Sequence, residues 1–206
     1  VRVLRLQAGD GFVITDGKGR AYDCSLLEPH PKRARFEIRN WNASDKPSHL
    51  FHLAIAPTKN MDRMEWLVEK CTEMGIASIR LFVSQNSERQ KIRTDKLQAR
   101  AIGAMKQSKQ VWLPDVLEPV SLDTIITSTK GYIAHCREEL PRTDLRQAYE
   151  SEENPVLLIG PEGDFTHEEI ELATESGWKG ISLGNDRLRT ETAGVYACAA
   201  FKFFHS

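Results

Sequence analysis

The chain has 206 residues, with 28 Lys and Arg against 29 Asp and Glu, 40% hydrophobic residues and 8% aromatics. That profile is of a globular protein large enough to bury a core without disulfides or structural metal, and no apolar run approaches the ~18 residues of a membrane span. Cys24, Cys71, Cys136 and Cys198 form no C-x-x-C pair, which argues against a zinc ribbon, a thioredoxin motif or a disulfide scaffold and predicts a reduced, cytoplasmic protein.

Residues 1–40 read as short strands joined by turns. Val1 to Leu6 alternates apolar and basic residues, and Gly9-Asp10-Gly11 turns the chain. Phe12 to Thr15, Tyr22 to Leu27 and Ala34 to Trp41 supply further strands, with Asp16-Gly17-Lys18-Gly19 as a second turn. This predicts a small all-β unit, a barrel or part of one. Residues 42–48 have linker composition, so the first domain is set at 1–45 and the second at 49–206.

Beyond the linker, strands alternate with helices. His49 to Ala56 reads as a strand, Met61 to Met74 as a helix stopped by Gly75, Ile79 to Val83 as a strand, and Thr94 to Lys109 as a basic helix. Gly131 to Cys136 is another strand, and two units of one design follow. Val156 to Ile159 leads through Gly160-Pro161-Glu162-Gly163-Asp164-Phe165 into a helix opened by the capping box Thr166-x-x-Glu169. Gly180 to Leu183 leads through residues 184–189 into a last helix, Thr190 to Phe204. Buried apolar strands with intervening helices predict a parallel, helix-covered sheet.

Near-neutrality hides an uneven distribution of charge. Residues 1–113 carry 20 Lys and Arg against 12 acidic residues, whereas residues 114–206 carry 8 against 17. The basic half is a candidate for a polyanionic partner, and a solvated helix face is the plainer account of its densest stretch, Arg80 to Lys109.

Open α/β sheets bind ligands at the carboxyl ends of their strands, here the loops after Ile159 and Leu183. Neither loop carries a dinucleotide-binding or P-loop glycine pattern, and Glu162 and Asp164 would repel a polyphosphate. The composition therefore favours a cationic or neutral ligand, with a plain strand-to-helix turn as the alternative.

The motifs taken together carry a resemblance. Leu158-Ile159-Gly160-Pro161-Glu162-Gly163, then Leu183-Gly184, then Leu188-Arg189-Thr190-Glu191-Thr192-Ala193 closely resemble the signature of the RsmE-type 16S ribosomal RNA uridine-N3 methyltransferases of the SPOUT class. Lys70-x-Thr72-Glu73-Met74-Gly75, Ser87-Glu88-Arg89, Ala104-x-x-Gln107-Ser108 and the Val3-Leu4-Arg5-Leu6 start are similar to further motifs of that family, in the same order. Lys109 and Asp164 depart from the family's usual Arg and Gly, and a strand-rich segment that usually precedes V-L-R is expected ahead of Val1.

The resemblance implies an α/β fold: a SPOUT-type parallel sheet with a C-terminal trefoil knot, preceded by a PUA-like β-barrel that holds RNA. It implies S-adenosylmethionine as cofactor, bound by Leu158, Ile159, Gly160, Glu162, Gly163, Leu183, Gly184, Leu188, Thr190, Thr192 and Ala193. It further implies a homodimer acting on 16S rRNA in the small subunit, without metal or membrane. Arg5, Arg89, Arg93, Lys106 and Lys109 are the candidate phosphate contacts. Arg189 is the candidate for stabilising charge on a uracil oxygen, and Glu191 for the base or for orienting Arg189, with a structural role as its alternative. A related enzyme acting on tRNA or another rRNA site, and a non-catalytic RNA-binding or assembly factor, are the competing functions.

Overall fold

Turn residues and alternating polarity in the first forty-odd residues give an antiparallel sheet of β1 (Gly11–Thr15), β2 (Arg20–Glu28) and β3 (Arg35–Ala43), in that order. The structure is a computed structural model and describes residues 5–89, 92–151 and 154–205. Val1 to Leu4, most of the predicted first strand, lie outside the described residues. The expected barrel is an open sheet among the described residues, because three strands are too few to close and β3 is exposed along its whole length. Trp112 ties this sheet to the rest of the chain. It forms an antiparallel bridge with Lys18, and its indole N–H donates to the Asp45 carbonyl at 3.1 Å.

The second unit begins with β4 (His52–Ile55), α1 (Met61–Glu73), β5 (Ser78–Val83), α2 (Thr94–Gln107), β6 (Asp115–Ser121) and α3 (Leu122–Ser128). It continues through β7 (Tyr132–Ala134), β8 (Thr143–Asp144), α4 (Leu145–Ser151), β9 (Val156–Ile159), α5 (His167–Glu175), β10 (Lys179–Ser182) and α6 (Thr190–Phe204). The seven strands form one sheet, ordered β6-β5-β4-β9-β7-β10-β8, with every pairing parallel.

Strand periodicity of two sends alternate side chains to two helical layers. Leu53, Ile55, Leu157, Ile159 and Ile181 pack with α1, α2, α4 and α6, while Ala54, Phe82, Ile133 and Leu158 pack with α3 and α5. The large polar-tipped residues of these layers are satisfied. Tyr149 donates to the Ala197 carbonyl at 3.0 Å, and Trp178 to the Ile126 carbonyl at 3.2 Å. Four elements have weak sequence signals. β6 contains Pro119, tolerated because β6 is an edge strand; α3 and α4 are two turns each; β8 has two residues.

Candidate functional site

A cavity of about 640 Å³ opens at the carboxyl ends of the neighbouring strands β9, β7 and β10. Its walls are the loops that follow those strands, residues 160–164, 135–142 and 183–189, and the first turn of α6. Ala134, Ile159, Ile181, Leu183, Leu188 and Ala193 give it apolar surface, and its size suits a small organic ligand. A larger, more open groove of about 820 Å³ lies between α1 and α2. Most of its charged lining is ion-paired internally, Arg100 with Glu65 and Glu69 and Lys70 with Glu69 and Glu73, and it lies away from the strand ends.

The β9–α5 loop is held on both sides. Glu162 accepts from the Lys59 amide at 3.2 Å, joining it to the turn before α1. The Asn86 side-chain amide donates to the carbonyls of Gly163 and Asp164 at 3.3 and 2.9 Å. The expected capping box is present, and Glu169 also accepts from the Gln85 amide at 2.8 Å. Asp164 adopts a positive φ of 61°, a costly region for a residue with a side chain, offset by two hydrogen bonds. Its carboxylate accepts from the Cys136 amide at 2.9 Å and the Phe165 amide at 2.8 Å, clasping the β7 loop to the β9 loop. The Thr190 hydroxyl donates to the Gly160 carbonyl at 3.1 Å and fixes α6 against the same loop.

Of the residues singled out from the sequence, Ile159, Gly160, Glu162 and Gly163 line the cavity from one side. Leu183, Gly184, Leu188, Arg189, Thr190 and Ala193 line it from the other. Leu158 is not in the lining; its strand parity places it in the opposite layer beside Phe165 and Trp178. Thr192 is exposed outside the cavity. Glu191 is buried, with Oε1 3.6 Å from Arg63 Nε and Oε2 without a hydrogen-bond partner among the described residues, so it meets α1 rather than Arg189.

The candidate phosphate contacts lie outside the cavity lining. Arg5 is exposed with a φ of 50°, Lys106 is exposed in the last turn of α2, and Lys109 follows with a φ of 58°. Arg89 donates to the Lys59 carbonyl at 2.8 Å, and Arg93 pairs with Asp95 at 2.6 Å.

Sequence reasoning missed one whole wall, the loop after β7, which brings His135, Cys136, Arg137 and Arg142 to the cavity. The strand-end rule applied to Gly131–Cys136 would have found it. His135 is buried with neither ring nitrogen hydrogen-bonded among the described residues. Burial pushes its imidazole below the ordinary value of 6.5, the nearby Asp164 and Glu139 carboxylates oppose the shift, and Arg142 and Arg137 reinforce it. His52 is shifted the same way by burial and by Lys46. With the folded value below the unfolded one, the unfolded chain binds more protons, and stability falls as pH drops below about 6.5. Thermal unfolding followed from about pH 7.5 to pH 5 should show that loss, and His135→Gln should flatten part of it; an unchanged profile in the variant excludes His135 as a source.

Comparison with known proteins agrees with this geometry. The RNA methyltransferase domain model matches residues 45–202, and the RNA methyltransferase PUA domain model matches residues 1–39.

The chain belongs to the RNA methyltransferase family.

Within it, the chain is 30% identical over 96% of its length to the ribosomal RNA small subunit methyltransferase E of Synechocystis sp., covering 67% of that protein. A crystal structure of a probable rRNA-methyltransferase from Porphyromonas gingivalis is 37% identical, with a TM-score of 0.92 over 99% of this chain and 88% of that one. The ribosomal RNA small subunit methyltransferase E of Neisseria gonorrhoeae, solved bound to S-adenosyl methionine, is 28% identical, with a TM-score of 0.81 over 98% of this chain and 86% of that one. This family member has an apolar-walled cavity at the strand ends, and none of its described helices is long and apolar enough to cross a membrane.

Proposed function

We propose that this protein transfers a methyl group from S-adenosylmethionine to N3 of a uridine in 16S ribosomal RNA of the small subunit. The observation that carries this reading is the cavity at the ends of β9, β7 and β10, in a chain whose fold matches along 98% of its length that of a relative solved with the cofactor. The cavity's chemistry suits the ligand. Apolar walls from Ile159, Leu183 and Leu188 accept an adenine, and Glu162, Asp164 and Asp186 supply negative charge for a sulfonium. When bound, the cofactor supplies an electrophilic methyl group.

The chain's own task is to make a poor nucleophile reactive. Uracil N3 attacks only as its imide proton passes to solvent, so negative charge develops on the adjoining oxygens. Arg189, exposed at the cavity and not ion-paired among the described residues, is assigned to stabilise that charge. Glu191 is assigned the structural role: through Arg63 it holds the first turn of α6 against α1 and so positions Arg189. The same reading includes a trefoil knot, supported by the late strands β9 and β10 lying on either side of the earlier β7, with α6 returning across β4 and β9. It includes a homodimer built on α1 and α6, supported by the exposed Trp66 and Tyr196 on those helices. It also keeps the enzyme in the cytoplasm with its substrate.

Transfer of a labelled methyl group to small subunits lacking the modification tests the reading, with naked 16S RNA and tRNA alongside and mass spectrometry of the product. Label recovered as 3-methyluridine is the expected result. Absence of both methyl transfer and cofactor binding would sink it.

A further inference from the structure

The acidic half of the chain has only eight basic residues, and four of them, Arg137, Arg142, Arg187 and Arg189, line the cavity. They come from two separate loops, those after β7 and β10. Among the described residues none of the four forms an ion pair, although Glu162, Asp164 and Asp186 line the same cavity. Asp164 has a reason: its oxygens are engaged by the Cys136 and Phe165 amides. Arg142 spends one N–H on the His135 carbonyl at 3.1 Å and keeps the rest of its fork. Three arginines of the basic stretch prominent in the sequence behave oppositely. Arg93 is matched by Asp95, Arg100 by Glu65 and Glu69, and Arg89 is spent on the Lys59 carbonyl. Four guanidinium groups without an ion pair among the described residues thus line the site, in the half whose net charge is negative.

Like charges gathered at one mouth repel, and an anion seated between them relieves that repulsion. Resting on the methyl-transfer reading above, we propose that Arg137, Arg142 and Arg187 clamp the phosphodiesters that flank the target base, leaving Arg189 for the base itself. The cofactor does not account for all of them. S-adenosylmethionine has one carboxylate against two cationic groups, and one guanidinium matches it. Successive phosphodiesters each offer unbridged oxygens to an arginine fork, and such contacts fix register and orientation. Two loops, from the neighbouring strands β7 and β10, would thus hold the strand beside the reacting nucleotide.

The test uses the full chain and a short uridine-containing single-stranded RNA, with affinity measured across a range of KCl and cofactor affinity measured by calorimetry. The Arg137→Ala/Arg187→Ala double variant is expected to bind this RNA more than tenfold more weakly at low salt. Its plot of log K against log[salt] should be shallower by about 1.4, at about 0.7 for each single-strand phosphate that is no longer neutralised. Cofactor affinity should shift by less than about threefold, since the clamp touches RNA. Arg146→Ala removes one positive charge at an ion pair with Glu150 outside the cavity, and should leave the slope in place. An unchanged slope in the double variant overturns the clamp, and loss of cofactor affinity beside it reassigns these arginines to the cofactor's carboxylate. Parent protein that binds cofactor but not this RNA overturns the clamp and leaves methyl transfer standing. The expected slope change without any cofactor binding supports the clamp and removes the methyl-transfer reading.

Discussion

Arg189→Ala is expected to lower methyl-transfer turnover by roughly 10²–10³, the usual cost of deleting a donor aimed at developing negative charge. The substitution isolates the side chain. Arg189 caps α6 through its backbone alone, its carbonyl accepting from the Ala193 amide at 2.8 Å, and its side chain makes no cap hydrogen bond. Truncation therefore leaves the helix and the Thr190–Gly160 bond in place, and the loss should appear in kcat rather than in cofactor affinity. Arg189→Lys restores the charge without the planar fork and should recover only part of the rate. Single-turnover kinetics with saturating cofactor provide the measurement. Turnover at the parental rate in Arg189→Ala would show that no uracil oxygen depends on it.

The sequence made one part of this site legible and hid another, for physical reasons. The continuous apolar run Val156–Ile159 and the short strand Gly180–Leu183, each followed by a Gly and then a helix start, place two of the cavity's three walls. The third wall lies beside them only because β7 sits between β9 and β10, and sheet order is not written in local pattern. Charge counted by halves concealed it as well. The total over residues 114–206 is acidic, while the arginines that line the cavity are concentrated by folding. The preference for a cationic or neutral ligand thus holds for the β9–α5 loop but not for the mouth as a whole.

Leu158 and Glu191 show how one motif divides over two surfaces. Contiguity in a motif does not make a shared surface: strand alternation sends Leu158 to the opposite layer while Ile159 lines the cavity. In α6, Glu191 meets Arg63 while Thr190 and Ala193 face the cavity. The periodicities themselves would have separated these residues. The open three-stranded sheet is a separate case, since local alternation specifies strands and turns but not closure.

Gly180→Ala and Gly103→Ala are expected to shift stability in opposite directions, although the chemical change is identical. Gly180 lies in β10 opposite Ile133, on the face covered by the loop that carries Arg137 and Arg142. A Cβ there would collide with the Pro141 backbone carbonyl and stand 2.8 Å from His135 Nε2. A backbone carbonyl yields only if the loop moves, so the methyl group both overpacks the sheet face and displaces the arginine wall. The expected cost is about 1–3 kcal/mol, with weaker RNA binding alongside. Gly103 lies inside α2 on its exposed side, and a Cβ there meets nothing within 4 Å. Alanine removes the backbone-entropy penalty of glycine at that position and should stabilise the protein by about 0.5–1 kcal/mol. Urea unfolding of both variants against the parent gives the two signs directly. Equal stability in Gly180→Ala and its parent would mean that the loop does not rest on β10, and the arginine wall would then lose its support.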